Sequence, residues 1–351
     1  SAVNAGGESE KGPEAASPVT GSLIAAPAET LRDRALTAIN LAGDKGASIK
    51  EGAETGVFLS WRRFPGETGE SFTLYKNGSV LLSGYENTNY VDEAGTASDR
   101  YEVRGTADAA LGLQSKTVAA WQNHYMDFAL ERPAPVSLPD GNTVSFVPND
   151  LSVGDLDGDG SLELVVKWSS NDKDNSHSGY TGPVYIDGYD IDFNTGETAL
   201  LWRINLGVNI RAGAHYTQFQ VWDYNGDGKA EIMMKTADGS TTYRSADGTQ
   251  NSLTKTGHVG AVSAEELPFE RISDEHDYRN DAGYVLDGPE YLTVFSGEDG
   301  RILDTVDYVP ARGNVDAWGD GYGNRVDRFL AATDYLDGRS PSAIFSRGYY
   351  T

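Results

Sequence analysis

The sequence predicts an all-β chain, a β-sandwich followed by the blades of an incomplete β-propeller. Three observations predict it. Between about Arg32 and Pro133, short apolar runs alternate with turn residues. From Val136 onward a motif of alternating acids recurs, each copy ahead of a strand-like run. Behind each copy a second shared pattern follows, strand, Gly-containing tight turn, strand.

The elements follow in chain order. Residues 1–31 are rich in Ala, Gly, Pro, Ser and Glu, bury little apolar area and read as a flexible leader. In 32–133 the runs "GVFLSWRRF" (Gly56–Phe64), "SFTLYKNGSVLLSG" (Ser71–Gly84), "TNYVD" (Thr88–Asp92), "DRYEVRGTA" (Asp99–Ala107) and "KTVAAW" (Lys116–Trp121) supply strands. Asn77-Gly78 between two of them is a hairpin signal, because both residues accept positive φ. About seven short strands over roughly 100 residues suit a sandwich of the fibronectin type III or immunoglobulin-like kind. Such a module more often supports a site than carries one. "RPAP" (Arg132–Pro135) marks the junction, and 134–351 is the second domain.

There "DLDGDGSLELVVKW" (Asp155–Trp168) aligns with "DYNGDGKAEIMMKT" (Asp223–Thr236). The aligned positions hold Asp155, Asp157, Asp159 and Glu163 in one copy, and Asp223, Asn225, Asp227 and Glu231 in the other. "GPVYIDGYDIDFNTGETALLW" (Gly182–Trp202) and "GPEYLTVFSGEDGRILDTVDY" (Gly288–Tyr308) complete the two units. A third, degenerate unit starts at Phe329, keeps Asp337-Gly338 and lacks the Glu. Repeats of this kind read as propeller blades. Two units and part of a third cannot close a ring of typically four to eight blades. The expectation is therefore a piece of a longer product, partnered by the remaining blades of its own propeller.

Acids packed this closely repel one another unless a cation sits among them. Calcium takes six to eight oxygens at about 2.3–2.6 Å, and an Asp-x-Asp/Asn-x-Asp-Gly turn aims three side chains inward while the Gly permits the reversal. Glu163 and Glu231 would close each cage from the start of the next strand. An EF-hand would place its Glu at loop position twelve, where Val166 and Met234 stand, so that reading fails. Calcium is the expected cofactor, in a structural role.

Bulk properties narrow the partners. Lys and Arg total 28 against 53 Asp and Glu, a formal charge of −25. Such a surface repels nucleic acid and anionic membranes, so neither is an expected partner. No apolar run approaches the ~18 residues of a spanning helix. The chain has no Cys, which removes disulfides, thiolate metal sites and thiol nucleophiles. It opens at Ser1 without an initiator Met, which reads as a processed or trimmed N-terminus, consistent with an exported, secreted protein.

The stretch from about Val136 to Thr351 resembles the propeller of polysaccharide lyase family eleven, the bacterial rhamnogalacturonan lyases. The residues that carry it are "FVPNDLSVGDLDGDGSLELVVKW", "LWRINLGVNIRAGAHYTQFQVWDYNGDGKAEIMMKTADGS", "GPEYLTVF" and "ARGNVDAWGDGYGNRVDRFLAATDYLDGRSPSAIFSRGYYT". The resemblance implies an eight-bladed propeller with several calcium ions. It implies cleavage of the rhamnose–galacturonate backbone of rhamnogalacturonan I, a pectin component, by β-elimination. In that chemistry a cation stabilises the developing enolate while a base removes the proton beside the uronate carboxylate. Asn149 matches a family position facing substrate. The family's acidic residue after "KW" is replaced here by Ser169, and its cleft histidines and catalytic calcium ligands are expected beyond Tyr350. The catalytic residues are therefore expected outside this chain.

Other candidates come from the residues themselves. Arg211, His215 and Tyr216 in "NIRAGAHYTQF" are either cleft contacts to a uronate or sugar, or a buried hydrogen-bond network. Arg347 could clamp a carboxylate and Tyr349 could stack on a sugar ring, with packing as the alternative for both. Lys167 and Lys235, at matching places in two copies, read as scaffold. "GNRVDRF" (Gly323–Phe329) reads first as an ion-pair network, with Arg325 and Arg328 as possible channel residues. His124, His177, His258 and His276 read as solvated loop residues, and the polar insert Ala237–Leu286 as decoration of one propeller face. The competing function is a non-catalytic, calcium-stabilised propeller for adhesion or glycan binding, whose blades carry similar acidic turns.

Overall fold

A computed structural model describes residues 3–4, 7–8, 33–42, 55–64, 67, 69–113, 115–123, 125–193, 195–260 and 276–348. They form an all-β structure. No helix among them is long and apolar enough to cross a membrane. Most of the expected leader, His124 and Tyr349 lie outside the described residues; within the leader, Val3–Asn4 pairs with Gly7–Glu8.

The first body has two antiparallel sheets. β1 (Thr37–Asn40), β2 (Val57–Ser60) and β5 (Asn89–Asp92) make one, in the order β1-β2-β5. β3 (Phe72–Lys76), β4 (Ser79–Tyr85), β6 (Arg100–Gly105) and β7 (Val118–Ala119) make the other, in the order β4-β3-β6-β7. Alternate residues of each strand face inward, as the two-residue period of a strand requires. Ala38, Val57 and Leu59 thus meet Phe72, Leu74, Tyr101 and Val103 across one core, with Trp61 edge-on to Phe72. The Asn77-Gly78 hairpin signal is realised between β3 and β4, with φ of 49° and 79°. Arg34 is buried among Glu67, Glu70 and Asp108 and stacks over Phe72, which ties the start of the body to its far loops.

After the short β8 (Val136–Ser137) and β9 (Thr143–Val144), the first repeat unit runs through β10 (Val147–Gly154), β11 (Glu163–Ser169), β12 (Tyr185–Ile191) and β13 (Thr198–Asn205). Each strand pairs antiparallel with the next. The second unit repeats this with β14 (Phe219–Trp222), β15 (Glu231–Ala237), β18 (Glu290–Ser296) and β19 (Ile302–Asp307). The third begins with the hairpin of β20 (Phe329–Asp334) and β21 (Ser342–Arg347). The sequence reading opens the first unit at its acidic turn, whereas the structure puts β10 ahead of it. Pro148-Asn149-Asp150 hides that strand, and a bulge between Pro148 and Leu151 accommodates the Pro on an edge.

The insertion between β15 and β18 has an unexpected place. Its hairpin, β16 (Thr241–Arg244) and β17 (Thr254–His258), pairs with β13 of the preceding unit, Trp202 opposite Arg244 and Asn205 opposite Thr241. The first unit's sheet thereby gains two strands, in the order β10-β11-β12-β13-β16-β17.

Why β11 reads as an unbroken apolar run becomes clear from its surroundings. Every residue of Glu163–Ser169 is buried. Val165 points toward the second unit, with Ile186, Trp202 and Ile204 against Val221, Ile232, Met234 and Phe295. Leu164, Val166 and Trp168 face the other way, onto Val136, Val144, Phe146 and Tyr185. A strand covered on both faces has no solvent side to mark with polar residues. Each apolar side chain so buried contributes ~1.5–3 kcal/mol. Gly188 makes room for Trp202, whose indole N–H reaches Gly297 O of the second unit at 2.5 Å. The first strands of successive units lie side by side, β10 against β14 and β14 against β20.

Candidate functional site: acidic turns and the opposite rim

Two kinds of site occupy opposite ends of the unit strands. The acidic turns join each first strand to its second, and the hydrogen bonds that close them are the same in both copies. Asp155 accepts from the Gly158 and Gly160 N–H groups at 2.7 and 3.0 Å, and Asp223 from Gly226 and Gly228 at 2.7 and 2.9 Å. All four glycines have φ between +80° and +90°, where a side chain would be strained. Glu163 accepts from Leu156 N and Glu231 from Tyr224 N, so each Glu closes its turn from the next strand.

Oxygens of Asp155, Asp157 and Asp159 lie within 4.8 Å of one another, a group that could hold a metal ion. Burial raises the Glu163 carboxyl to about 7, with the Leu156 N–H working against the rise and the neighbouring Asp charges adding to it. Burial, then the neighbouring acids, also raises Asp155 against its glycine N–H bonds, and burial raises Glu231. Such groups gain from a nearby dication, and the donors are all hard oxygens. The second turn has an amide in the set: Asn225 Nδ2 donates to Asp227 and to Glu231 at 3.1 and 2.8 Å. The two turns are neighbours, since Ala230 N donates to Asp155 O at 2.7 Å. In the degenerate third turn Asp337 only caps Arg339 N and Ser340 N.

Roughly 20 Å away, at about 3.3 Å per strand residue, lie the starts of the first strands. Asn149 is exposed there on β10. Lys167, at the far end of β11, is buried and donates to Asp150 Oδ2 at 2.5 Å. Lys235, its counterpart on β15, meets Glu290 Oε1 at 2.6 Å. Glu290 also pairs with Arg312 at 2.8 Å and with Arg347, whose guanidinium lies over the Tyr308 and Phe329 rings. Burial would raise Glu290, but the Lys235, Arg312 and Arg347 charges outweigh it and hold the carboxyl at about 2. A cavity of about 310 Å³ opens beside Glu290 and Arg312, with Tyr308 in its wall.

The structure divides the remaining candidates. Arg211 is buried, donates to Tyr216 Oη at 3.0 Å and to the carbonyls of His177 and Gly179, and lies between the Tyr216 and Tyr284 rings. Arg211, Tyr216 and Arg347 are thus internal, whereas Asn149 and His215 reach the surface. Glu290, Arg312 and Asp327 were not among the sequence candidates; only the placing of Glu290 directly after "GP", where a unit's third strand begins, could have drawn notice.

Comparison with known proteins follows from this architecture. Residues 125–351 match the rhamnogalacturonan lyase family 11 C-terminal domain, and residues 44–121 the rhamnogalacturonan I lyases beta-sheet domain. The chain is similar to the rhamnogalacturonan exolyase YesX of Bacillus subtilis (strain 168), 49% identical over 304 residues, which cover 85% of this chain and 45% of YesX. It is 48% identical over 299 residues to the rhamnogalacturonan endolyase YesW of the same organism, covering 84% of this chain and 44% of YesW. The crystal structure of YesX superposes with a TM-score of 0.72 at 44% identity, over 92% of this chain and 47% of that one. The Bacillus licheniformis rhamnogalacturonan lyase PL11 gives 0.70 at 45%, over 92% and 49%. Fold and sequence together define a relative of polysaccharide lyases. The chain belongs to rhamnogalacturonan lyase family 11. It spans about half the length of the curated relatives it matches.

Proposed function

We propose that this chain is part of an enzyme that cleaves the rhamnose–galacturonate backbone of rhamnogalacturonan I by β-elimination. The observation that carries the reading is the 49% identity to a rhamnogalacturonan exolyase over 85% of the chain. In the reaction a base takes the C5 proton beside the uronate carboxylate, the C4–oxygen bond breaks and a C4–C5 double bond forms. The sugar O4 leaves with a proton, so atoms and charge balance.

The finer architecture belongs to the same proposal. Four-stranded units whose faces pack on one another and whose first strands lie side by side support a radial, propeller-like arrangement. Sheets of three and four strands around one core support a fibronectin type III-like first body. We assign calcium to the acidic turns, where Asp155, Asp157, Asp159 and Glu163, and Asp223, Asn225, Asp227 and Glu231, would hold it. Bound there, it would neutralise clustered carboxylates and stiffen the turns. Asn149 is proposed to face substrate, and the enzyme to be exported, as its polymeric substrate requires. Incubating the full-length product with rhamnogalacturonan I and calcium should raise ultraviolet absorbance from the new double bond. Cleavage without that absorbance would replace elimination with hydrolysis, and no cleavage would refute the assignment.

A further inference from the structure

We propose that Trp222 and Tyr335 form a separate binding site for an uncharged galactopyranose chain, at the acidic-turn end of the unit strands. This is the end opposite Asn149, and the inference does not rest on the lyase reading.

Two neighbouring first strands build the pair. Trp222 is the last residue of β14, and Tyr335 directly follows the last residue of β20. The indole N–H donates to Tyr335 Oη at 3.2 Å. The rings stand edge to face, with centroids 6.4 Å apart and planes at 79°. Beside them Tyr224 Oη and Thr333 Oγ1 share a hydrogen bond of 2.6 Å, and Thr333 Oγ1 donates to Gln220 Oε1 at 3.0 Å. These bonds tie β14 to β20, so the rings form a fixed corner rather than two loose side chains.

Packing does not call for an indole here. The strand register sets Gly154 against Glu163 in the first unit and Trp222 against Glu231 in the second, so Gly154 holds the matching place. There the next unit closes directly on the backbone: a Cβ would stand 2.8 Å from Ala230 Cβ and from Val221 Cγ1. The fold thus works without a side chain at this place, yet the second unit puts an indole there and leaves it 45% exposed. Tyr335 is also 45% exposed, and Leu336 beside it 69%. Isolated exposed apolar residues are ordinary, but two large aromatics locked together at one corner mark a binding surface.

The chemistry of the corner selects the ligand. Aromatic rings pack on the C–H face of a pyranose, and galactose offers a broad one because its C3, C4 and C5 hydrogens share one side. The indole N–H takes one lone pair of Tyr335 Oη, so the phenolic proton can go to a sugar oxygen. A uronate does not suit the place. Exposed Asp334 and Asp337 flank Tyr335, and Asp223 and Asp227 follow Trp222. Against them stand Arg339 and Lys229, and the Lys229 ammonium is paired with Glu298 at 2.9 Å. The charge stays negative even with a dication in the second turn, because Asp334 and Asp337 lie outside that turn. Such a field repels a polyuronide and is indifferent to a neutral chain.

Calorimetry on the calcium-loaded full-length protein tests the site with two probes, β-1,4-linked galactotetraose and tetragalacturonate. Wild type should bind galactotetraose saturably. W222A should weaken that binding roughly tenfold or more and leave any tetragalacturonate binding unaltered. W222F should recover part of the loss, because a ring returns without its N–H. Y335F, with an unchanged melting temperature, should weaken galactotetraose roughly threefold through the lost hydroxyl. No saturable binding of galactotetraose to wild type would overturn the site. So would an undiminished affinity in W222A or in Y335F, or equal losses on both probes in W222A.

Discussion

Lys235 Nζ and Glu290 Oε1 stand 2.6 Å apart with both side chains more than nine-tenths buried, on facing strands of the second unit. Arg312 and Arg347 complete the ring of cations around this one carboxylate, and Asp327 lies beside them. Removing one member of such a buried ensemble leaves uncompensated charge. We therefore expect E290Q to lose about 3–5 kcal/mol in urea denaturation. A loss under 1 kcal/mol would mean that solvent already reaches the cluster.

Acid should probe the same residue. Glu290 is held below its ordinary 4.5 at about 2, so its stabilisation is complete above the ordinary value and disappears as pH falls through about 2. Asp327, raised by burial and by the Glu290 charge against the pull of the cations, works in the opposite sense, and E290Q removes the Glu290 share of that rise as well. Between pH 4.5 and 2 the wild type should lose stability more steeply than E290Q. Parallel curves would remove the claim.

Metal should act at the other end of the strands. Calcium added to chelator-treated protein should raise the melting temperature, by the equivalent of ~2.7 kcal/mol per site at a hundredfold excess over Kd. D155N and D223N should each remove part of the gain, and the double variant nearly all of it. Identical melting in chelator and in calcium would leave the turns as metal-free capping structures.

Packing between the first two units depends on one missing side chain. A Cβ on Gly188 would overlap the Trp202 indole, which itself bonds to Gly297 O across the unit boundary. G188A should cost roughly 1–3 kcal/mol and shift the Trp fluorescence. An unperturbed spectrum and melt would show that the indole can move aside.

What the sequence revealed was largely local. The acidic turns were legible because each one is closed by hydrogen bonds within nine residues, from Asp155 to Glu163 and from Asp223 to Glu231. β11 and β15 were legible as apolar runs. β10 was not, because Pro148, Asn149 and Asp150 are poor strand formers tolerated on an edge. The pairing of Lys235 with Glu290 joins residues on either side of a long insertion, and no local pattern announces it. The spacing of "NIRAGAHYTQF" left open whether Arg211 and Tyr216 turn inward or outward. Carbonyls from the 177–179 loop and the Tyr284 ring, all distant in sequence, decide that they turn inward.

The β16–β17 hairpin has a bearing on how such proteins can be recombined. Because a segment encoded within one repeat completes the sheet of its predecessor, the repeats are not interchangeable cassettes. A chimera joined between Asn205 and Thr241 would set a donor's hairpin against a foreign edge. The smallest heritable piece is the pair of units together, which ties the divergence of one to that of its neighbour.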